Sequence, residues 1–143
     1  MSMRTNYTSP EDVEQAFYDA ISRGDPDLLM LAWADEEETV CVHPTGARLR
    51  GIAPIRESWR SIFSTARIRV KPEQVAHWHS AVMAVHHLTE YLFVGDDPNP
   101  HGPLHVTHVY MRGPQGWSLV SRHASAADDG HQAMAEAMPH TLH

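Results

Sequence analysis

The chain has 143 residues, of which 42% are hydrophobic and 20% charged, a balance that fits one globular domain with a real core and excludes a disordered segment. A formal charge of −7 argues against nucleic acid, whose phosphates require a basic face, and the longest apolar stretch, Leu28 to Ala34, is too short to span a bilayer. The lone Cys41 forms no internal disulfide and Met1 to Pro10 has no apolar core, so a cytoplasmic location is expected rather than a secretory one.

Ser9-Pro10-Glu11-Asp12 reads as a helix start, with Ser as N-cap, Pro at the first helical position and acids in the first turn. Val13, Ala16, Phe17, Ala20 and Ile21 recur at helical spacing, and Gly24 ends the helix. Asp25-Pro26 opens a second helix, with Leu29 and Trp33 one turn apart. Thr39 to Val42 is a short β-rich run closed by His43-Pro44. Thr45 to Gly51 is expected to be a loop carrying Arg48 and Arg50. Ile52, Ile55, Trp59, Ile62 and Phe63 mark a third helix.

Beyond Ser64 the texture is β: 68–80, 81–94, 104–112 and 117–125 all read as strands. Gly95 to Pro103, rich in proline, is expected to be a long irregular turn. Gly113-Pro114-Gln115-Gly116 suits a type I turn with Gly116 left-handed, giving a three-residue loop. That register sets Gly113 opposite Trp117, Tyr110 opposite Val120 and His108 opposite Arg122. A two-residue loop would put His108 beside Ser121 instead. The tail, 127–143, carries Met134 and Met138 one helical turn apart and reads as a short helix or a frayed end. There is no internal repeat, so a single domain over 1–143 is expected, its core about 9–126.

Helices first and a run of long antiparallel strands after them make an α+β order. Helices packed over the hollow face of a curved sheet leave a cavity, and residues pointing into it are the site candidates.

Ala20-Ile21-Ser22-Arg23-Gly24-Asp25, then Val42-His43-Pro44, then Gly51 before the third helix, resemble the front half of SnoaL-like and nuclear-transport-factor-two-like domains. Leu88-Thr89-Glu90-Tyr91, Thr107-His108-Val109-Tyr110, and Gly116-Trp117 to His123-Ala124-Ser125 resemble the association domain of calcium/calmodulin-dependent kinase II. The resemblance implies a cone-shaped, cystatin-like fold, self-association (a homodimer) through the outer sheet face, and a deep polar pocket. In the association domain arginines on the sheet line that pocket. Two of their positions match His87 and His108, and a third matches Ala124. No kinase domain accompanies these residues, so kinase activity and calmodulin binding are not implied.

Twelve histidines against eleven Lys plus Arg make imidazole the main source of acid–base and ligand chemistry. The expected ligand pocket gathers His43, Trp59, His87, Tyr91, His108, Tyr110 and Arg122, with Arg122 as a charged fork for a small organic acid. On helical spacing alone Trp59 reads as plain core ahead of pocket wall. Isomerases and cyclases of this fold need a carboxylate base and oxyanion donors. Past Ser64 the strands offer only Glu73 and Glu90, and if His87 and Thr89 face inward then Glu90 faces outward. A lyase or isomerase acting on a carbonyl compound is therefore the alternative, with a histidine as base.

His77 and His79 share a strand face, and His105 or His108 could join them around zinc or iron. The spacing matches no established ligand motif, so no metal or other cofactor is expected. Cys41 reads as a small buried hydrophobe. A pure oligomerisation module is the third reading, with Trp117, Leu119 and His123 as the outward, subunit-facing side of the last strand.

Overall fold

The structure, a computed structural model, describes residues 7–127, so Met134, Met138 and the tail reading lie outside the described residues. Ser9 caps α1 (Pro10–Arg23) by accepting the Asp12 N–H at 3.1 Å, and left-handed Gly24 ends it. Asp25 caps α2 (Pro26–Met30) in the same way. Then follow β1 (Val40–Val42), β2 (Arg48–Arg50), α3 (Ile52–Thr65), β3 (Ile68–His79), β4 (Met83–Val94), β5 (His101–Gly113) and β6 (Gly116–Ala126). Among the described residues no helix is long and apolar enough to cross a membrane.

All six strands form one sheet in the order β2-β1-β6-β5-β4-β3. Every pair is antiparallel except β1 with β6, which run parallel. α1 and α3 lie on the inner face, where Val13, Phe17, Ile21, Ile55 and Trp59 bury a core shared with Tyr110 and Leu119. The α+β expectation holds, with this one parallel pair added to the sheet.

Four local expectations differ from what is observed. The second helix stops at Met30, because the chain from Ala32 to Ala34 bonds instead to Leu119 of β6. Arg48 to Arg50 is a strand and not a loop, since β1 offers it an edge. Strand β5 starts at His101 and includes Pro103, with Gly102 at φ 103° leading the chain past the β4 backbone.

The last hairpin is the fourth. Gly113 pairs with Gly116 across a two-residue loop, so Tyr110 faces Leu119. A bulge at Val120 then restores the pairing of His108 with Arg122. The expected partner of His108 is met, but through a bulge and not through the loop. Because the bulge reverses alternation, Leu119 is fully buried and Trp117 packs against the core, whereas His123 is exposed. Trp117 and Leu119 therefore do not form the outward face assigned to them from the sequence. Gly116 is fixed at φ 105°, and a Cβ there would meet the Tyr7 carbonyl oxygen at 2.5 Å.

Candidate functional site

One rung crosses the whole sheet. His77, His86, His108, Arg122, Cys41 and Leu49 are successive cross-strand partners from β3 to β2. On the inner face of β4, Glu90 lies four residues beyond His86. Above them α1 lowers Glu14 and Tyr18 on the same side as Phe17 and Ile21.

These side chains form one buried polar network. Arg122 Nη1 and Nη2 donate to the two Glu90 oxygens at 2.7 and 2.9 Å, a bidentate pair. The Tyr18 hydroxyl donates to Glu90 Oε2 at 2.6 Å. Arg122 Nη1 also donates to His108 Nε2 at 2.9 Å. A guanidinium only donates, so His108 carries its proton on Nδ1 and gives it to the Tyr110 hydroxyl at 2.9 Å. Tyr110 donates in turn to Glu14 Oε1 at 3.0 Å. Glu14 also accepts from His86 Nδ1 at 2.9 Å and from Gln74 Nε2 at 2.9 Å.

The charges follow from these contacts. Burial pushes the Glu90 carboxyl up, but the charge and hydrogen bonds of Arg122 outweigh it and hold the group below its ordinary value. Glu14 is likewise lowered against its burial, by the His108 imidazole 3.6 Å away and by hydrogen bonds from His86 and Gln74. Burial keeps His108 neutral, lowering its pKa despite the nearby acids. Burial and the adjacent carboxylates raise Tyr18 and Tyr110, so both phenols remain donors.

A cavity of about 80 Å³ opens beside this network, walled by Ile62, Leu104, His43, Trp59, Glu90 and Arg122. Two of its wall residues carry buried donors with no oxygen or nitrogen partner among the described residues: Arg122 Nε, and Trp59 Nε1, which has only the weakly accepting Cys41 sulfur near it. Ser58 gives its one proton to the Ile55 carbonyl, so His43 donates through Nε2 to Ser58 at 3.0 Å and keeps Nδ1 unprotonated. Burial, then the Arg122 charge, lowers the His43 pKa. A separate groove of about 510 Å³ runs between α1 and β3, lined by Glu11, Glu14, Tyr18, Gln74 and His77.

Of the residues expected in a pocket, His43, Trp59 and Arg122 meet around the cavity, and His108 and Tyr110 stand behind it in the network. His87 and Tyr91 lie on the opposite face of β4, where His87 Nδ1 pairs with Thr107 Oγ1 at 3.2 Å. Glu90 corrects the reading that turned it outward: it is fully buried on the inner face, because His86, Leu88 and Glu90 share the core side. Glu14 was missed altogether, although it sits three, four and seven residues before Phe17, Tyr18 and Ile21. Cys41 is a buried free thiol whose pKa burial pushes up to about 11, so it is inert. Arg48 and Arg50 lie on the sheet's outer edge strand, where Arg50 pairs with Glu38.

A family model described as a SnoaL-like domain matches residues 11–129. A structure from Thiobacillus denitrificans, assigned as a calcium/calmodulin-dependent protein kinase type II association domain, is 34% identical with a TM-score of 0.80, covering 85% of this chain and 98% of its own. A Streptomyces avermitilis protein, assigned as a dehydratase of the NTF2-like family, is 29% identical with a TM-score of 0.72, covering 81% and 91%. An NTF2-like superfamily protein from Salmonella enterica shares the fold at 21% identity and a TM-score of 0.71, covering 83% and 89%. No curated protein sequence matches the chain.

Proposed function

Because the chain belongs to the SnoaL-like domain family, we propose that it binds a small, uncharged organic molecule bearing a carbonyl or similar acceptor in the cavity beneath α3. The observation that carries this reading is the pair of buried donors, Trp59 Nε1 and Arg122 Nε, neither with an oxygen or nitrogen acceptor, on two residues that wall the cavity. Leaving a buried donor unpaired costs about 1–3 kcal/mol, and a ligand acceptor offsets that cost at both. The remaining wall is largely aliphatic, which suits a short carbon skeleton.

A small organic acid fits less well than the sequence suggested. Glu90 already fills the Arg122 fork, so a second carboxylate would face its charge. A lyase or isomerase is the second reading, supported by the likeness to a protein assigned as a dehydratase. Glu90, lowered and held by three hydrogen bonds, is a weak base, so neutral His43 would have to take the proton.

Titration with acetamide, cyclopentanone and acetate, followed by the indole N–H resonances, tests the binding reading. The signal lost in Trp59→Phe is expected to shift with the two neutral probes and little with acetate. An unmoved signal with both neutral probes sinks it, and a shift with acetate alone returns the organic acid.

The outer sheet face supports pairing with a second copy of the chain. Trp78 and Val75 are 69% and 66% exposed, and Val82, Met83 and Met111 complete one apolar patch around the β3–β4 turn. An assembly role of this kind is also what the association-domain likeness brings to mind. Sedimentation is expected to give a dimer that Trp78→Glu converts to monomer; a monomeric parent protein overturns it. The lone, buried Cys41 fits the proposed cytoplasmic location.

A further inference from the structure

We propose that Glu11, His77, His79 and His86 form a binding site for one divalent transition ion of the zinc class. The cluster lies at the opposite end of the histidine rung from the cavity. His77 and His79 come from β3, His86 from β4, and Glu11 from the first turn of α1. One ligand atom from each lies within 4.8 Å of all the others.

The spacing is that of a tetrahedral shell. Metal–nitrogen and metal–oxygen bonds of 2.0–2.2 Å place neighbouring ligand atoms about 3.3–3.5 Å apart. His79 Nε2 and His86 Nε2 are 3.0 Å apart, and Glu11 Oε2 lies 3.3 and 3.5 Å from them. The donor set of three imidazoles and one carboxylate suits zinc and its neighbours better than magnesium or calcium, which prefer oxygen.

His86 is built as a ligand. It is fully buried, and its Nδ1–H is held by Glu14 at 2.9 Å. Glu14 only accepts, so the proton of neutral His86 is on Nδ1 and the lone pair of Nε2 points at Glu11 and His79. A carboxylate holding the far nitrogen of an imidazole is the outer support that metal-bound histidines usually carry. Gln74 extends it, bonding Glu14 through Nε2 and His77 through Oε1.

The three rings are nearly parallel, with His77 stacked on His86 at 3.8 Å and 7°. Parallel rings aim their lone pairs side by side, so exposed His77 and His79 must tilt to converge on an ion while His86 stays fixed. Four protein donors fill a tetrahedral shell, so the ion acts as a clamp between α1 and the β3–β4 hairpin. His105 and His108, the partners considered from sequence, take no part: His105 faces outward on β5 and His108 bonds Arg122 and Tyr110.

The experiment is calorimetric and optical titration of the whole chain with Zn²⁺ and Co²⁺, alongside thermal melts. Expected are one ion per chain, a tetrahedral Co²⁺ visible band, and a melting temperature raised by Zn²⁺. His79→Gln and Glu11→Gln alter exposed side chains and will keep the fold. Each should weaken binding at least ~10-fold and remove the Zn²⁺-induced rise, while His105→Gln changes nothing. No stoichiometric ion, or binding indifferent to His79→Gln and Glu11→Gln, overturns the site. So does an equal loss in His105→Gln, which would mark scattered surface histidines.

Discussion

Replacing Glu90 with Gln will destabilise the protein by about 3–5 kcal/mol, measured as a lowered urea midpoint. The substitution keeps shape and volume but leaves the Arg122 guanidinium buried, 4% exposed, without its counter-charge. Arginine does not discharge to escape, because its pKa lies far above any working pH. Its remaining contacts are the faces of Phe17 and Trp59, 5.1 and 5.8 Å from Cζ, and the His108 nitrogen. None of these carries negative charge.

The decisive companion is the double variant Glu90→Leu with Arg122→Met. Removing both charges also removes the desolvation cost, so it should recover most of the lost stability. A single variant as stable as the parent would show that solvent reaches the pair, contrary to its burial.

Acid will unfold the chain in two overlapping stages. His108 is the first. The groups facing it are Arg122 on β6, Glu14 and Tyr18 on α1, Glu90 on β4 and Tyr110 on its own strand. Burial dominates and lowers its pKa below the ordinary 6.5. The unfolded chain therefore binds a proton near 6.5 that the folded chain refuses. Stability is fully present above that pH and falls below it, by up to about 1.4 kcal/mol per pH unit for one such proton. Half-buried His43 acts in the same direction with less weight.

Glu90 is the second stage. Its folded pKa lies below the ordinary 4.5, so its stabilisation is intact above 4.5 and is lost as pH falls further. Both stages have the same sign, so they act together against a typical domain's stability of roughly 5–15 kcal/mol. Urea midpoints should decline steadily from neutrality to pH 4.5 and steepen below it. A midpoint flat between pH 7.5 and 5 would show that His108 is charged in the fold.

The sequence states the helices well, because their caps and apolar stripes are local signals. Ser9, Asp25 and Gly24 act at the positions their chemistry predicts. Facing in the strands is less legible. On β4 the inner face mixes Ala84, Leu88 and Leu92 with His86 and Glu90, and the outer face mixes Val85, Tyr91 and Phe93 with His87 and Thr89, so alternation alone does not say which side is the core. Placing His87 inward then turned Glu90 outward and hid the main charge pair of the interior. The bulge at Val120 had the same effect on Trp117 and Leu119.

The site residues were legible in part for a related reason. The hairpin pairs Arg122 with His108 on a three-residue loop, whereas the structure reaches the same pair through a two-residue loop and the bulge at Val120. Glu14 is 94 residues from His108 in the sequence, so no local pattern links them, and its role exists only once α1 docks on the sheet. A carboxylate inside an apolar helical stripe was the one available signal. The metal cluster draws on three elements for the same reason, and only its β3 pair, His77 and His79, shares a face by spacing alone.

The place of β6 in the sheet bears on how the molecule is made. It is the last described strand to leave the ribosome, yet it sits between β1 and β5 and joins the two halves of the sheet. Until it arrives, β1 and β2 have no other strand to pair with, and Arg122 is not yet there to meet Glu90. Closing Cys41 against Arg122 spans most of the domain, a contact whose loop entropy must be met before any pairing rewards it. A nascent chain stopped before β6 would hold Glu90 without its arginine, and would depend on chaperones to keep its half-built sheet from other strands.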